Sequence, residues 1–163
     1  MTRNVAEGGV DEALRLVAAQ ATRRAGDGCG VILLTRGGRR ITSVGTDALA
    51  EGLNALYDHF VENPCRSAWN GRTTIRAELP GDGTPVPEWM AAAGRLGARS
   101  ILTAAMSTDD RLLGVVTLHS GRPGAFTAAD EEALHAYARR AAAFIDDVQT
   151  IRSAAYAASR AAG

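Results

Sequence analysis

The sequence contains no lysine; all 18 basic residues are arginine and 18 acidic residues balance them, for a formal net charge of +0. A neutral chain lacks the basic surface that nucleic acid or an anionic membrane ordinarily requires, so no direct nucleic-acid binding and no membrane partner are expected. There are only two cysteines, Cys29 and Cys65. They are too few for a disulfide framework or an all-cysteine zinc site, and they suit a reducing, cytoplasmic setting. No apolar run approaches the ~20 residues that span a bilayer, and the first nine residues lack the apolar stretch of a secretory signal. None of the three histidines, His59, His119 and His135, has a second histidine three or four residues away, so there is no local metal signature. Gly-x-Ser-x-Gly and P-loop spacings are also missing, which argues against the commonest hydrolase and nucleotide-binding chemistries.

What is present is a regular alternation of helix and strand signals in 163 residues, a length that suits one domain. Val10, Leu14, Val17, Ala18 and Ala21 recur at helical spacing over 10–25. A strand at 29–35, a glycine-paired turn and a short strand to 44 form a hairpin. Gly45-Thr46-Asp47 caps a helix carrying Leu49, Leu53, Leu56, Tyr57 and Phe60, and one further helical turn covers 66–70 after Asn63-Pro64-Cys65. The pattern then predicts a strand at 73–79, a helix at 87–96, and strands at 100–107 and 112–120 joined by a polar turn. Thr127 is the expected N-cap of a last helix exceeding thirty residues, since neither glycine nor proline interrupts 125–162. Hairpins this short allow only antiparallel pairing, which makes the fold α+β. The expected organisation is a flexible start at 1–9, one domain at 10–150 and a helical extension at 151–163.

Three segments carry a family resemblance: Arg-Ser-Ile-Leu-Thr-Ala-Ala-Met at 99–106, Asp-Arg-Leu-Leu-Gly-Val-Val-Thr-Leu-His-Ser at 110–120, and Phe-Thr-Ala-Ala-Asp-Glu-Glu-Ala-Leu at 126–134. Together they resemble the C-terminal half of a GAF domain. Glu-Asn-Pro-Cys-Arg-Ser-Ala-Trp at 62–69 is similar to a subset of bacterial GAF domains, with Asn63 in place of that subset's glycine. Many of that subset continue into an RNA-binding module called ANTAR, and 151–160 is similar to the junction into it. The resemblance implies an antiparallel sheet of five or six strands. The end helices would lie on one face and a pocket-covering helix and loop region on the other. It also implies a cytosolic sensory or regulatory domain in signal transduction and transcription regulation, binding a small-molecule effector or a protein partner. Neither cysteine is followed by histidine, as bilin attachment would need, and the two are too widely spaced for a GAF-type sulfoxide reductase, so no catalytic role and no cofactor are expected.

Carried onto this chain, the family's pocket would be lined by Leu33, Met106 and Leu118 on strands, and by Tyr57 and Phe60 on the second helix. Cys65 and Trp69 just after it, with Trp89 and Met90 on the helix at 87–96, would complete the lining. The same side chains equally suit a packed core, which would make the domain a ligand-free dimerisation scaffold. Cys65, beside Arg66 at a helix start, has two readings: a small buried hydrophobe, or a thiol of lowered pKa serving a redox switch or an enzyme. On the last helix Tyr137, Ala141, Phe144, Val148 and Ile151 form one apolar row, and Leu134, Ala138 and Ile145 a second beside it. One sheet covers only one such row, so a homodimer through Leu14, Val17, Tyr137, Phe144, Val148 and Ile151 is expected.

Overall fold

A computed structural model describes residues 5–81 and 83–163, with side chains from Gly9 onward. The chain runs α1 (Val5–Arg24), β1 (Gly28–Leu34), β2 (Arg40–Gly45), α2 (Ala48–Leu56) and α3 (Pro64–Gly71). It continues through β3 (Thr74–Glu78), α4 (Glu88–Arg95), β4 (Ser100–Ser107), β5 (Leu112–Ser120) and α5 (Ala128–Ala161). Of the flexible start expected at 1–9, residues 1–4 lie outside the described residues and 5–9 already belong to α1. The five strands form one sheet in the order β2-β1-β5-β4-β3, with every neighbouring pair antiparallel.

Helices cover both faces of this sheet. On one side α1 and α5 pack against Cys29, Val31 and Leu33 of β1, Leu102, Ala104 and Met106 of β4, and Val116 and Leu118 of β5. On the other side α2, α3 and α4 cover the alternate residues, Ile32 and Leu34 of β1, Ile101 of β4 and Val115 of β5. Because side chains alternate along a strand, neighbours in sequence serve opposite cores. The central strands are consequently buried along nearly their whole length.

Local chemistry sets the helix ends. Asp47 caps α2 by accepting from the Ala50 amide at 2.7 Å. Asn63 caps α3 by accepting from the Arg66 amide at 2.8 Å, and Pro64 follows in the first turn, where its missing N–H costs nothing. Thr127 and Asp130 form a reciprocal capping box at the start of α5, which runs for 34 residues. The apolar row expected from Leu49 to Phe60 is cut short, because α2 stops at Leu56 with Tyr57 as its C-cap.

The two end helices share one layer, which corrects half of the expected dimer surface. Leu14, Val17 and Tyr137 are 0%, 2% and 5% exposed within the single chain. The sheet takes the Leu134–Ile145 row, and α1 lies beside α5 and covers Tyr137. Phe144 and Ile151 stay outside at 40% and 69% exposure, and Val148 packs in part against the core.

Candidate functional site

The structure divides the nine expected lining residues among three places. Leu33, Met106 and Leu118 belong to the α1/α5 core and point away from the face beneath α3. Their strand neighbours Ile32 and Val115 take the facing positions instead, a one-residue difference that inverts the side of the sheet. Tyr57, Cys65 and Trp69 come together with Ile32, Leu34 and Val115 beneath α3. Trp89 joins Leu53, Leu79 and Ile101 beneath α4, with Phe60 and Met90 half-buried against them.

The space beneath α3 is filled. Tyr57, Cys65 and Trp69 are buried, and the Tyr57 hydroxyl donates to the Gly38 carbonyl at 2.5 Å, pinning the β1–β2 turn. The Arg66 guanidinium lies 4.8 Å from the centre of the Tyr57 ring, and its buried Nε has no hydrogen-bond partner. Below them sits a polar triangle. The Thr117 hydroxyl donates to Thr103 Oγ1 at 2.9 Å, Thr103 donates to Cys65 Sγ at 3.7 Å, and Cys65 Sγ lies 3.3 Å from Thr117 Oγ1. Each member of the triangle satisfies the others, so the sheet face accommodates three buried polar side chains. Thr103 and Thr117 escaped the sequence reading; their signal was a threonine at the centre of an otherwise apolar strand.

Burial pushes the Cys65 thiol above its ordinary value, and the two threonine hydroxyls only partly offset it. That direction opposes the reactive thiolate that a redox switch or thiol enzyme needs. Cys29, also raised by burial, lies in the α1/α5 core on the opposite face, and both thiols are free.

The histidines go separate ways. His119, 3% exposed at the end of β5, has Nε2 at 3.0 and 3.1 Å from the two carboxylate oxygens of Asp47, and its Nδ1 has no partner. His135 Nδ1 lies 3.4 Å from Thr74 Oγ1, while His59 is exposed beyond the end of α2. Among the described residues no group of three or more histidine, cysteine, aspartate or glutamate side chains converges as a metal site would.

At the opposite end of the sheet from His119, a cleft of about 490 Å³ opens between the β1–β2 turn, the end of α3 and the β4–β5 turn. Trp69, Leu34 and Leu112 line it together with Arg36, Arg72 and Arg111. Arg111 reaches across to α5, donating to Asp146 at 2.5 Å, and on the same turn Asp109 accepts from Arg139 of α5 at 2.9 Å. None of these arginines was singled out from the sequence.

The family model for the GAF domain matches residues 9–145. The chain belongs to the GAF domain family. Solved structures agree on the fold. The blue-light absorbing form of the Thermosynechococcus elongatus PixJ GAF domain superposes with a TM-score of 0.64 at 11% identity, over 96% of both chains. The GAF domain of a two-component sensor histidine kinase from Bacillus halodurans gives 0.62 at 14% identity, over 86% of this chain and 96% of that one. The GAF-B domain of DevS from Mycobacterium smegmatis gives 0.61 at 20% identity, over 88% and 98%. No curated protein matches the sequence. This GAF domain has the expected five-stranded antiparallel sheet, with end helices on one face and the α2–α4 region on the other. Among its described residues no helix is long and apolar enough to cross a membrane.

Proposed function

We propose that this GAF domain is a sensory or regulatory module that binds a small molecule or a partner protein, and that it signals through its end helices as a homodimer without catalysis of its own. The observation that carries this reading is α5. Its first half is bound to the sheet, and two ion pairs from the β4–β5 turn, Arg111–Asp146 and Asp109–Arg139, grip it along one side. From Ile151 onward every residue is exposed, so the helix leaves the body of the domain. A change at the strand turns therefore has a mechanical route to a projecting helix. That structural relatives include a sensor-kinase GAF domain and a light-absorbing GAF domain supports an input-to-output role.

A second copy of the chain is the partner that fits the remaining apolar row. Phe144 and Ile151 sit two helical turns apart on one side of α5, and a two-fold axis would bring each row against its equivalent. A second reading, a dimerisation scaffold without ligand, is supported by the filled space beneath α3.

Native mass spectrometry of the purified chain tests both. A dimer carrying a small-molecule adduct is the expected result. A dimer of bare chains favours the scaffold, and a bare monomer at tens of micromolar overturns both readings.

A further inference from the structure

The cleft at the turn end of the sheet gathers three arginines, and only Arg111 of the three has an ion-pair partner among the described residues. Arg36 and Arg72 line it with no carboxylate partner among the described residues, and Asp110, also in its wall, forms no ion pair with any of the three arginines. Arg72 is moreover the one non-glycine among the described residues with positive φ, at 49°, where a residue bearing a Cβ is disfavoured. As C-cap of α3 it stands where glycine or asparagine is the usual choice, and an arginine is present instead. The floor is apolar. Trp69 and Leu34 form it, and Ile41 at its edge is 59% exposed although it is a large aliphatic side chain. At about 490 Å³ the cleft has the volume of a small-molecule site. Guanidinium groups above an apolar floor match an organic molecule with a carboxylate or phosphate at one end, because the planar fork donates two parallel hydrogen bonds to such a group.

Arg111 makes the cleft more than a binding surface. Its side chain is 52% exposed, and it is shared between the cleft and α5, where it donates to Asp146 and, at 3.5 Å, to Gln149. An anion in the cleft competes with Asp146 for the same donors. We propose that this cleft, and not the filled space beneath α3, is the effector site, that it takes a small organic anion held by Arg36, Arg72 and Arg111 over Trp69, and that occupancy draws Arg111 away from Asp146 of α5. The binding stands on the cleft alone, while its consequence at α5 rests on the sensory reading above. By linkage, the anion weakens the Arg111–Asp146 pair by the same factor as the pair weakens anion binding.

The test uses 2-naphthoate and 2-naphthyl phosphate as probes, with 2-naphthol as the uncharged control, read by NMR at the two indole N–H signals. Trp89, buried beneath α4, is the internal reference. One or both anions should shift the Trp69 signal and leave Trp89 in place, with naphthol about tenfold weaker. Whether naphthoate or naphthyl phosphate binds more tightly distinguishes a carboxylate effector from a phosphate one. Arg36→Gln combined with Arg72→Asn, the latter suited to the left-handed backbone, should weaken the anions about tenfold. Arg36→Gln alone, on an exposed turn, serves should the pair not fold. Asp146→Asn should tighten binding several-fold by releasing Arg111. Equal binding of naphthol, or no anion binding up to about 10 mM, overturns the site. Anion binding that Asp146→Asn leaves unchanged overturns the link to α5. A co-purified molecule that shifts Trp89 and not Trp69 overturns this site while the sensory reading stands.

Discussion

The Tyr137 hydroxyl of α5 donates to the Val17 carbonyl of α1 at 2.8 Å, inside a core where both residues are buried. This bond joins the last helix to the first in one layer, and it explains why those two side chains serve the single chain and not a second copy. The bond also has a signature in pH. Burial raises the Tyr137 phenol to about 12, against a reference value near 10 in the unfolded chain.

A group held neutral in this way contributes stability that is fully present below its unfolded pKa and lost as the pH rises through its folded one. Burial likewise raises Cys29, Cys65 and Tyr57. With no lysine in the sequence, tyrosines and cysteines dominate titration in this alkaline range. The urea midpoint should therefore hold near neutral pH and fall steadily from about pH 9 to 12. Tyr137→Phe should cost about 1 kcal/mol at pH 7 and flatten the upper part of that decline. An unchanged alkaline profile in the variant would contradict the assignment.

Cys65 should react slowly. Its sulfur is enclosed with Thr103 and Thr117, and burial disfavours the thiolate. Labelling by an aromatic disulfide reagent at pH 7 should accelerate strongly once the chain is unfolded in urea. Rapid labelling of the folded protein that Cys65→Ser abolishes would restore the redox reading.

Gly28 should not tolerate a side chain. A Cβ there would run into the Asp47 carboxylate and the His119 ring, whose contact closes the end of the sheet against the start of α2. Gly28→Ala must displace Asp47, which also caps α2 through the Ala50 amide. The expected loss is about 2 kcal/mol or more, against about 1 kcal/mol for Asp47→Ala, where only the cap and the His119 contact go. Chemical denaturation of the two variants checks the order; Gly28→Ala being the milder change would show that the strand yields instead.

The order of elements was legible because turn and cap signals are local: Asp47, Asn63-Pro64 and Thr127 each sit where the structure starts a helix. Which face of the sheet a strand residue serves was not legible. All seven residues of β1 are buried, so no polar alternation separates Leu33 from Ile32, and helices on both sides hide the parity. The arginine cleft was illegible for another reason. Arg36, Arg72 and Arg111 come from three separate connections, and the antiparallel pairings of β1 with β5 and of β3 with β4 bring them to one end of the sheet. The apolar stripes of α5 were legible as periodicity, but not that α1 covers the upper part of one of them.

That remaining part of the stripe leads to the last prediction. Phe144 and Ile151, 40% and 69% exposed, lie on one side of α5, and Leu16 of α1 is 48% exposed. Burying these side chains against a second copy would remove apolar surface from water at about 25 cal/mol per Å². The many alanines between them allow close helix approach but add little area, so the association should be moderate, with a micromolar dissociation constant as its scale. Phe144→Glu with Ile151→Glu places two like charges on each facing helix and leaves the intrachain core untouched. Light scattering should then report a monomer whose circular dichroism and unfolding midpoint match the parent chain. A parent already monomeric at high concentration would sink the homodimer, and a double variant that unfolds would mean that the stripe serves the chain itself.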